Sequence, residues 1–277
     1  MSATLTRPAE GPTPTAEQAA TRRPALARGV THSLTLARRS LVKTLRTPEQ
    51  LIDVTLQPII FVVMFVYLLG GAVSGSTSEY LRFLLPAIMV QTVIFATVAT
   101  GVNLNTDIKK GVFDRFRSLP IARSAPLLGS VLGDMVRFVV CIAVLLGFGY
   151  ALGFRIGTDP LSALAACVLV MLFAFSLIWA SVLLGVVARE AGAVQGIMFL
   201  AMFPLTFGTN MITPTESLPG WLQWWVNVNP VTDVMEAARG LLTGGPVAGP
   251  VTTTLLWSAG LFAVFFPLAV RAYRRKA

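Results

Sequence analysis

The sequence predicts an all-α integral membrane protein with six transmembrane helices and an N-terminal interfacial amphipathic helix. Three observations carry this. Of 277 residues, 55% are hydrophobic and only 13% are charged, with a mean hydropathy of +0.72, whereas about a quarter of a soluble domain is charged. Six stretches, 51–73, 83–103, 131–154, 161–188, 192–212 and 251–270, are apolar over the length of about 20 residues that a helix needs to cross the hydrocarbon core. The basic residues fall on alternate connections, as the positive-inside rule requires.

Residues 1–27, with Pro8, Pro12, Pro14 and Pro24 among Thr, Ala and Glu, have no core-forming pattern and predict a disordered tail ahead of one six-span domain, 28–277. No apolar run follows the first residues, so no signal peptide is expected and the first span is retained. Val30, Leu34, Ala37, Leu41 and Leu45 then recur at helical spacing beside Arg38, Arg39, Lys43 and Arg46. An apolar stripe with a basic opposite face describes a helix lying in the membrane interface. Pro48 is expected to end it and turn the chain into the bilayer.

With the N-terminus inside, only Arg82, Arg155 and Arg239 of the 22 Lys and Arg residues lie on the outer side. Both termini are therefore expected in the cytoplasm of a multi-pass protein bathed in membrane lipids. The same distribution removes nucleic acid as a partner of a chain with net charge +9, because its basic residues are spread over separate loops. Cys141 and Cys167 sit in apolar runs and read as small buried hydrophobes, not a disulfide framework. A single histidine, His32, builds no metal site. There is no Gly-Lys pair and hence no P-loop, and no H-E-x-x-H, C-x-x-C or G-x-S-x-G. No catalytic residue, metal site or bound cofactor is expected, and the chain is not itself an enzyme.

Spans this apolar keep few polar groups. Asp134 and Arg137, one turn apart, read as a local ion pair near the inner end of span three rather than a proton relay. Gln57, Tyr67, Gln91, Thr92, Thr97, Thr100, Asn103, Gln195 and Asn210 are uncharged, and such groups often bond between helices. Gln195, Phe199, Phe203 and Phe207 fall at successive i+4 positions beside Met198 and Met202. Flexible Met and flat aromatic surfaces suit varied apolar ligands, and they suit helix packing equally well. Gln57, Tyr67, Gln91, Phe95, Gln195, Phe199, Met202, Phe203 and Phe207 form the candidate substrate path.

Two connections are informative. In 107–121, Ile108, Val112, Phe113 and Phe116 share one side of a short helix, charges cover the other, and Pro120 stops it. This describes either an interfacial helix or a docking helix that fits a groove on a soluble partner. The segment 213–250 is long for a connection. Pro219, Pro230 and Gly244-Gly245-Pro246 divide it into two short helical pieces, about 218–226 and 232–242, and Trp221, Trp224 and Trp225 suit a membrane interface.

The spacing of Asp107, Gly111, Arg115 and Pro120 with Arg117-Ser118-Leu119-Pro120-Ile121, then Leu218-Pro219-Gly220-Trp221-Leu222, Asn229-Pro230-Val231-Thr232 and Glu236-Ala237-Ala238-Arg239-Gly240, resembles the membrane subunits of type-2 ATP-binding-cassette exporters, especially the daunorubicin-resistance group. The six-span layout matches over nearly the whole chain after the tail; at Asp107 the family commonly has Glu, which keeps the charge. The resemblance implies the permease subunit of an exporter in the bacterial cell membrane that works as a homodimer with a separate ATP-binding-cassette ATPase, which holds the ATP and Mg. The substrate is expected to be an amphipathic, hydrophobic drug, antibiotic or lipid-like compound. Export of a lipid or lipid-linked polysaccharide is the alternative, and an ion-coupled transporter or membrane scaffold a second one. The resemblance assigns ATPase coupling to Asp107, Lys109, Gly111, Phe113, Arg115, Phe116, Arg117 and Pro120. It makes the two short pieces re-entrant helices before the last span, an outer gate with Pro219, Trp221, Trp225, Asn229, Pro230, Glu236 and Arg239.

Overall fold

A computed structural model of the chain describes residues 48–111 and 125–276, and these form helices with no strand. In chain order they are α1 (Pro48–Ser74), α2 (Thr77–Lys109), α3 (Ala125–Ala151), α4 (Pro160–Val187), α5 (Ala191–Phe207), a 3-10 turn (Thr215–Ser217), α6 (Gly220–Val228), α7 (Pro230–Thr243) and α8 (Ala248–Lys276). The predicted tail and the interfacial helix over Val30 to Leu45 lie outside the described residues. Pro48 is the first residue of α1, a first-turn position whose N–H has no helical acceptor in any case; the helix it is expected to end lies outside the described residues.

The helices α1, α2, α3, α4 and α8 are each long and apolar enough to cross a membrane. The fifth predicted span, 192–212, is shorter than expected. Its helix α5 has 17 residues and stops at Phe207, because Pro204 withholds an N–H in the last turn and Gly208 leaves the helical conformation. At 1.5 Å per residue α5 is about 26 Å long, at the lower limit for a span.

Local chemistry fixes the helix starts. The Ser76 hydroxyl accepts from the Glu79 N–H at 3.2 Å, a Ser-x-x-Glu start for α2. Asp159 caps α4, accepting from the Ser162 hydroxyl at 2.6 Å and the Ser162 N–H at 3.1 Å. Those bonds hold its carboxyl below the usual carboxylate range.

The central element is α2, buried along most of its length among α1, α3, α4, α5 and α7. Its closest partner is α4. A Cβ on Gly101 would stand 2.4 Å from the Ser181 carbonyl oxygen, and one on Gly185 would stand 2.5 Å from that of Gly101, so only glycine permits this backbone-to-backbone crossing. One turn on, the Asn105 side chain donates to the Gly185 and Ala188 carbonyls, each at 2.9 Å. Across α4 from α2 lies α8, packed through Phe175 on Phe262 at 5.6 Å and Trp179 edge-on to Phe266 at 4.7 Å.

The ammonium of Lys276, in the last turn of α8, reaches the carbonyls at the end of α4, with Val186 at 2.5 Å. The C-terminal ends of α2, α4 and α8 thus gather at one end of the bundle, with Lys109, Lys110, Arg189, Arg271, Arg274, Arg275 and Lys276. Arg82, Arg155 and Arg239 stand at the opposite end. There the Tyr80 hydroxyl donates to the Ile212 carbonyl at 2.9 Å, joining α2 to the chain that leaves α5.

Candidate functional site

On the side of α2 turned from α4, the helices α1, α2 and α5 surround a cavity of about 300 Å³. Gln57, Pro58 and Phe61 come from α1, Gln91, Thr92, Phe95, Ala96 and Ala99 from α2, and Phe199, Phe203 and Phe207 from α5. Phe95 lies 5.3 Å from Phe199 and 6.4 Å from Phe207, and Phe203 lies 4.6 Å from Phe207. Tilted rings at these separations present both faces and edges to a flat apolar molecule. Gln91 is 3% exposed, and its amide nitrogen has no hydrogen-bond partner among the described residues. A buried donor of this kind is costly unless an acceptor reaches it. The volume sits at the small end of ligand pockets, enough for part of a drug-sized molecule.

Six of the nine residues proposed for a substrate path meet here: Gln57, Gln91, Phe95, Phe199, Phe203 and Phe207. The other three do not line the cavity. Tyr67 is 65% exposed on α1, Gln195 is exposed near the start of α5, and Met202 is buried in the core. Phe61, missed by the sequence reading, lies one turn after Gln57, so helical spacing from that residue finds it. Ala96 and Ala99 gave no signal of their own, because a hollow is made by side chains that are short.

Short helices close the end of the bundle opposite the basic one. Asn229 explains the Asn-Pro start of α7: its side-chain Oδ1 accepts from the Val231 N–H at 3.0 Å, while its side-chain amide nitrogen donates to the Leu205 and Gly208 carbonyls at 2.8 and 2.9 Å. Those carbonyls belong to the C-terminal end of α5, so one side chain joins the two helices. Arg239 lies over the Phe83 ring at 3.8 Å and donates to the Phe83 and Asn210 carbonyls. Glu236 accepts from the Asn210 amide at 2.7 Å. A Cβ on Gly240 would meet Val247 at 2.9 Å, which is why glycine follows Arg239 where the chain folds back. Gly157 and Thr158 satisfy the Leu242 and Leu241 carbonyls from the α3–α4 connection. Pro219 precedes α6, on which Trp221 is exposed and Trp225 lies against Gly208.

At the basic end, Asp107 and Lys109 belong to the last turn of α2, with Lys109 exposed. Gly111 stands at φ +66°, a conformation that favours glycine. Phe113, Arg115, Phe116, Arg117 and Pro120 lie outside the described residues.

One polar feature departs from expectation. Arg137 and Asp134 are paired at 3.2 Å, but not at the edge of a span. The helix α3 begins at Ala125 rather than near 131, which carries the pair to the middle of a 27-residue helix. Arg137 is 6% exposed and donates to the Ala96 carbonyl on α2 at 3.1 Å, and the Thr100 hydroxyl donates to Asp134 at 2.5 Å.

The sequence profile of the ABC-2 type transporter family matches residues 31–243. The chain is 45% identical to the daunorubicin resistance ABC transporter permease protein DrrB1 of Streptomyces coeruleorubidus, covering 92% of this chain and 90% of that one. It is 32% identical to the doxorubicin resistance ABC transporter permease protein DrrB of Mycobacterium tuberculosis over 77% of this chain and 78% of the relative. It is 28% identical to the probable doxorubicin resistance permease DrrC of the same species over 89% of each.

Proposed function

The chain belongs to the ABC-2 type transporter family, and on that premise we propose that it is the permease of an ATP-driven exporter of flat, amphipathic drugs such as daunorubicin. The observation that carries the choice of substrate is the aromatic cavity between α1, α2 and α5. Ring faces there accept a planar molecule, the Gln91 amide N–H donates to one of its oxygens, and the lining holds no charge that would demand an ionic solute.

ATP is bound and hydrolysed by a separate ATPase subunit. In the bacterial cell membrane the basic end is cytoplasmic, where Asp107, Lys109 and Gly111 lead into the docking segment that the ATPase engages. The permease is a homodimer. Phe203, 56% exposed, and the neighbouring apolar faces of α1 and α5 leave the cavity open on one side, which a second copy would close. Closure of the ATPase pair pushes on the end of α2 and shifts α1, α2 and α5 as a group. The helices α6 and α7 dip into the outer leaflet as a gate, hinged where Asn229 and Arg239 hold the ends of α5 and α2. Differential affinity of ATP for the two conformations gives the cycle its direction.

The test is to reconstitute the permease alone, the ATPase alone and the two together in vesicles, and to follow ATP hydrolysis and daunorubicin fluorescence. Hydrolysis stimulated by the drug and uptake into inverted vesicles should need both proteins. Hydrolysis that answers to added lipid and not to daunorubicin overturns the drug assignment in favour of lipid export.

A further inference from the structure

The buried pair on α3 lies outside the cavity but touches its wall. Ala96 is a lining residue, and its carbonyl is the acceptor of the Arg137 guanidinium. Asp134 holds that guanidinium from one side and is itself held by Thr100, one turn along α2 from Ala96. The four residues form a link from α3 to the segment of α2 that carries Phe95, Ala96 and Ala99.

A charged pair is an expensive way to join two helices inside a membrane. Well-packed apolar side chains would hold α3 on α2 at least as strongly, because the loss of hydration offsets most of the attraction between buried charges. Apolar contacts, however, allow a helix to slide or rotate by small steps. A guanidinium bonded to one named carbonyl does not, since its donors are fixed in a plane. The Arg137 Nε has no partner among the described residues, so the side chain gives up one of its own bonds in this pose. What the arrangement supplies is register.

We propose that Arg137, oriented by Asp134 and Thr100, is a positioning residue for substrate selection: it fixes α2 at Ala96 and so sets the gap between Phe95 and the phenylalanines of α5. This rests on the cavity being the drug site. A shift of α2 changes which molecules fit between the rings while leaving the rings in place.

The experiment uses the complete complex in vesicles and measures the half-saturating concentration for stimulated hydrolysis with two planar probes of different size, daunorubicin and ethidium, each normalised to the variant's own maximal rate. Arg137→Met should move the two half-saturations unequally, changing their ratio about fivefold or more. Arg137→Lys keeps the charge but not the planar fork, and should recover only part of that change. Equal loss of maximal rate for both probes with an unchanged ratio overturns the proposal and leaves Arg137 a packing residue. Should Arg137→Met fail to yield folded protein, Thr100→Val decides: it removes only the hydroxyl on Asp134, and an unchanged ratio again overturns the proposal. Phe95→Ala separates the drug site from the positioning role. If it too leaves both half-saturations unmoved, the cavity is not the drug site; if it moves them and the Arg137 variants do not, only the positioning role fails.

Discussion

The two sides of α2 are built on opposite principles. Toward α4 the backbones touch at Gly101, Ser181 and Gly185, and Asn105 bonds across the crossing to two carbonyls. Toward α1 and α5 the same helix meets a hollow lined by phenylalanine, with Phe203 more exposed than buried. In a membrane no hydrophobic force draws helices together, so close approach and hydrogen bonds carry the packing. The α4 side uses both of these; around the hollow the α5 side uses neither, although near its start α5 brings Val194 beside Gly101. In the proposed cycle one face of α2 stays fixed and the other is remade. In this molecule the helix that contacts most of the others has one face of each kind.

The largest expected effect breaks the fixed side. Gly101→Val would place a branched side chain where a Cβ alone stands 2.4 Å from the Ser181 carbonyl oxygen and 3.1 Å from Val194. Nothing flexible can move away from a backbone contact. The cost should reach about 3 kcal/mol or more, seen as loss of monodisperse protein in detergent and a lowered melting transition. Gly147 lies on α3 with no neighbouring element within 4 Å of an added Cβ, so Gly147→Ala should hold the transition or raise it slightly. Equal behaviour of the two variants would mean that the α2–α4 crossing is not the rigid element.

The next effect falls on the open side and is functional. Phe199→Ala removes a ring 5.3 Å from Phe95. Because the ring borders a hollow, the loss of stability should be small, while the half-saturating concentration for daunorubicin-stimulated hydrolysis should rise about tenfold. Gln195→Ala, one turn earlier on the same helix but off the cavity, should leave it unchanged. A larger effect from Gln195 than from Phe199 would shift the substrate path toward the basic end.

Much of this was legible in the sequence, for reasons that differ by region. Hydropathy located the long helices because crossing a membrane demands length and apolarity, and both are local properties. The i+4 stripe on α5 fell on the cavity because three phenylalanines on one helical face must share a neighbour. What escaped depends on partners distant along the chain. Nothing marks Gly101 and Gly185 among 23 glycines until their helices are seen to cross. The depth of Asp134 and Arg137 is hidden when the span is begun at Val131, because Ala125 to Ser130 before it belong to the same helix α3. Hydropathy extends the fifth span to 212 because it does not register Pro204 and Gly208, whose effect is on hydrogen bonds. In the 213–250 connection the breaks at Pro219 and Pro230 were plain, but the work of Asn229 and Arg239 was not, since each acts on carbonyls of other helices.

The smallest change in stability should accompany the most selective change in binding. Gln91→Leu replaces an amide whose nitrogen is buried without a partner by an apolar group of similar size. Removing an unsatisfied donor is neutral or mildly stabilising, by up to about 1 kcal/mol, so the melting transition should hold or rise slightly. Binding should move the other way. A substrate oxygen bonded to Gln91 loses its donor, and daunorubicin, rich in carbonyl and hydroxyl groups, should lose about tenfold in half-saturation, while ethidium, which has no carbonyl, should lose little. Opposite signs for stability and binding at one residue would mark Gln91 as a group kept for the ligand. Equal losses for the two probes would instead make it a packing residue, and the cavity would then distinguish its substrates by shape alone.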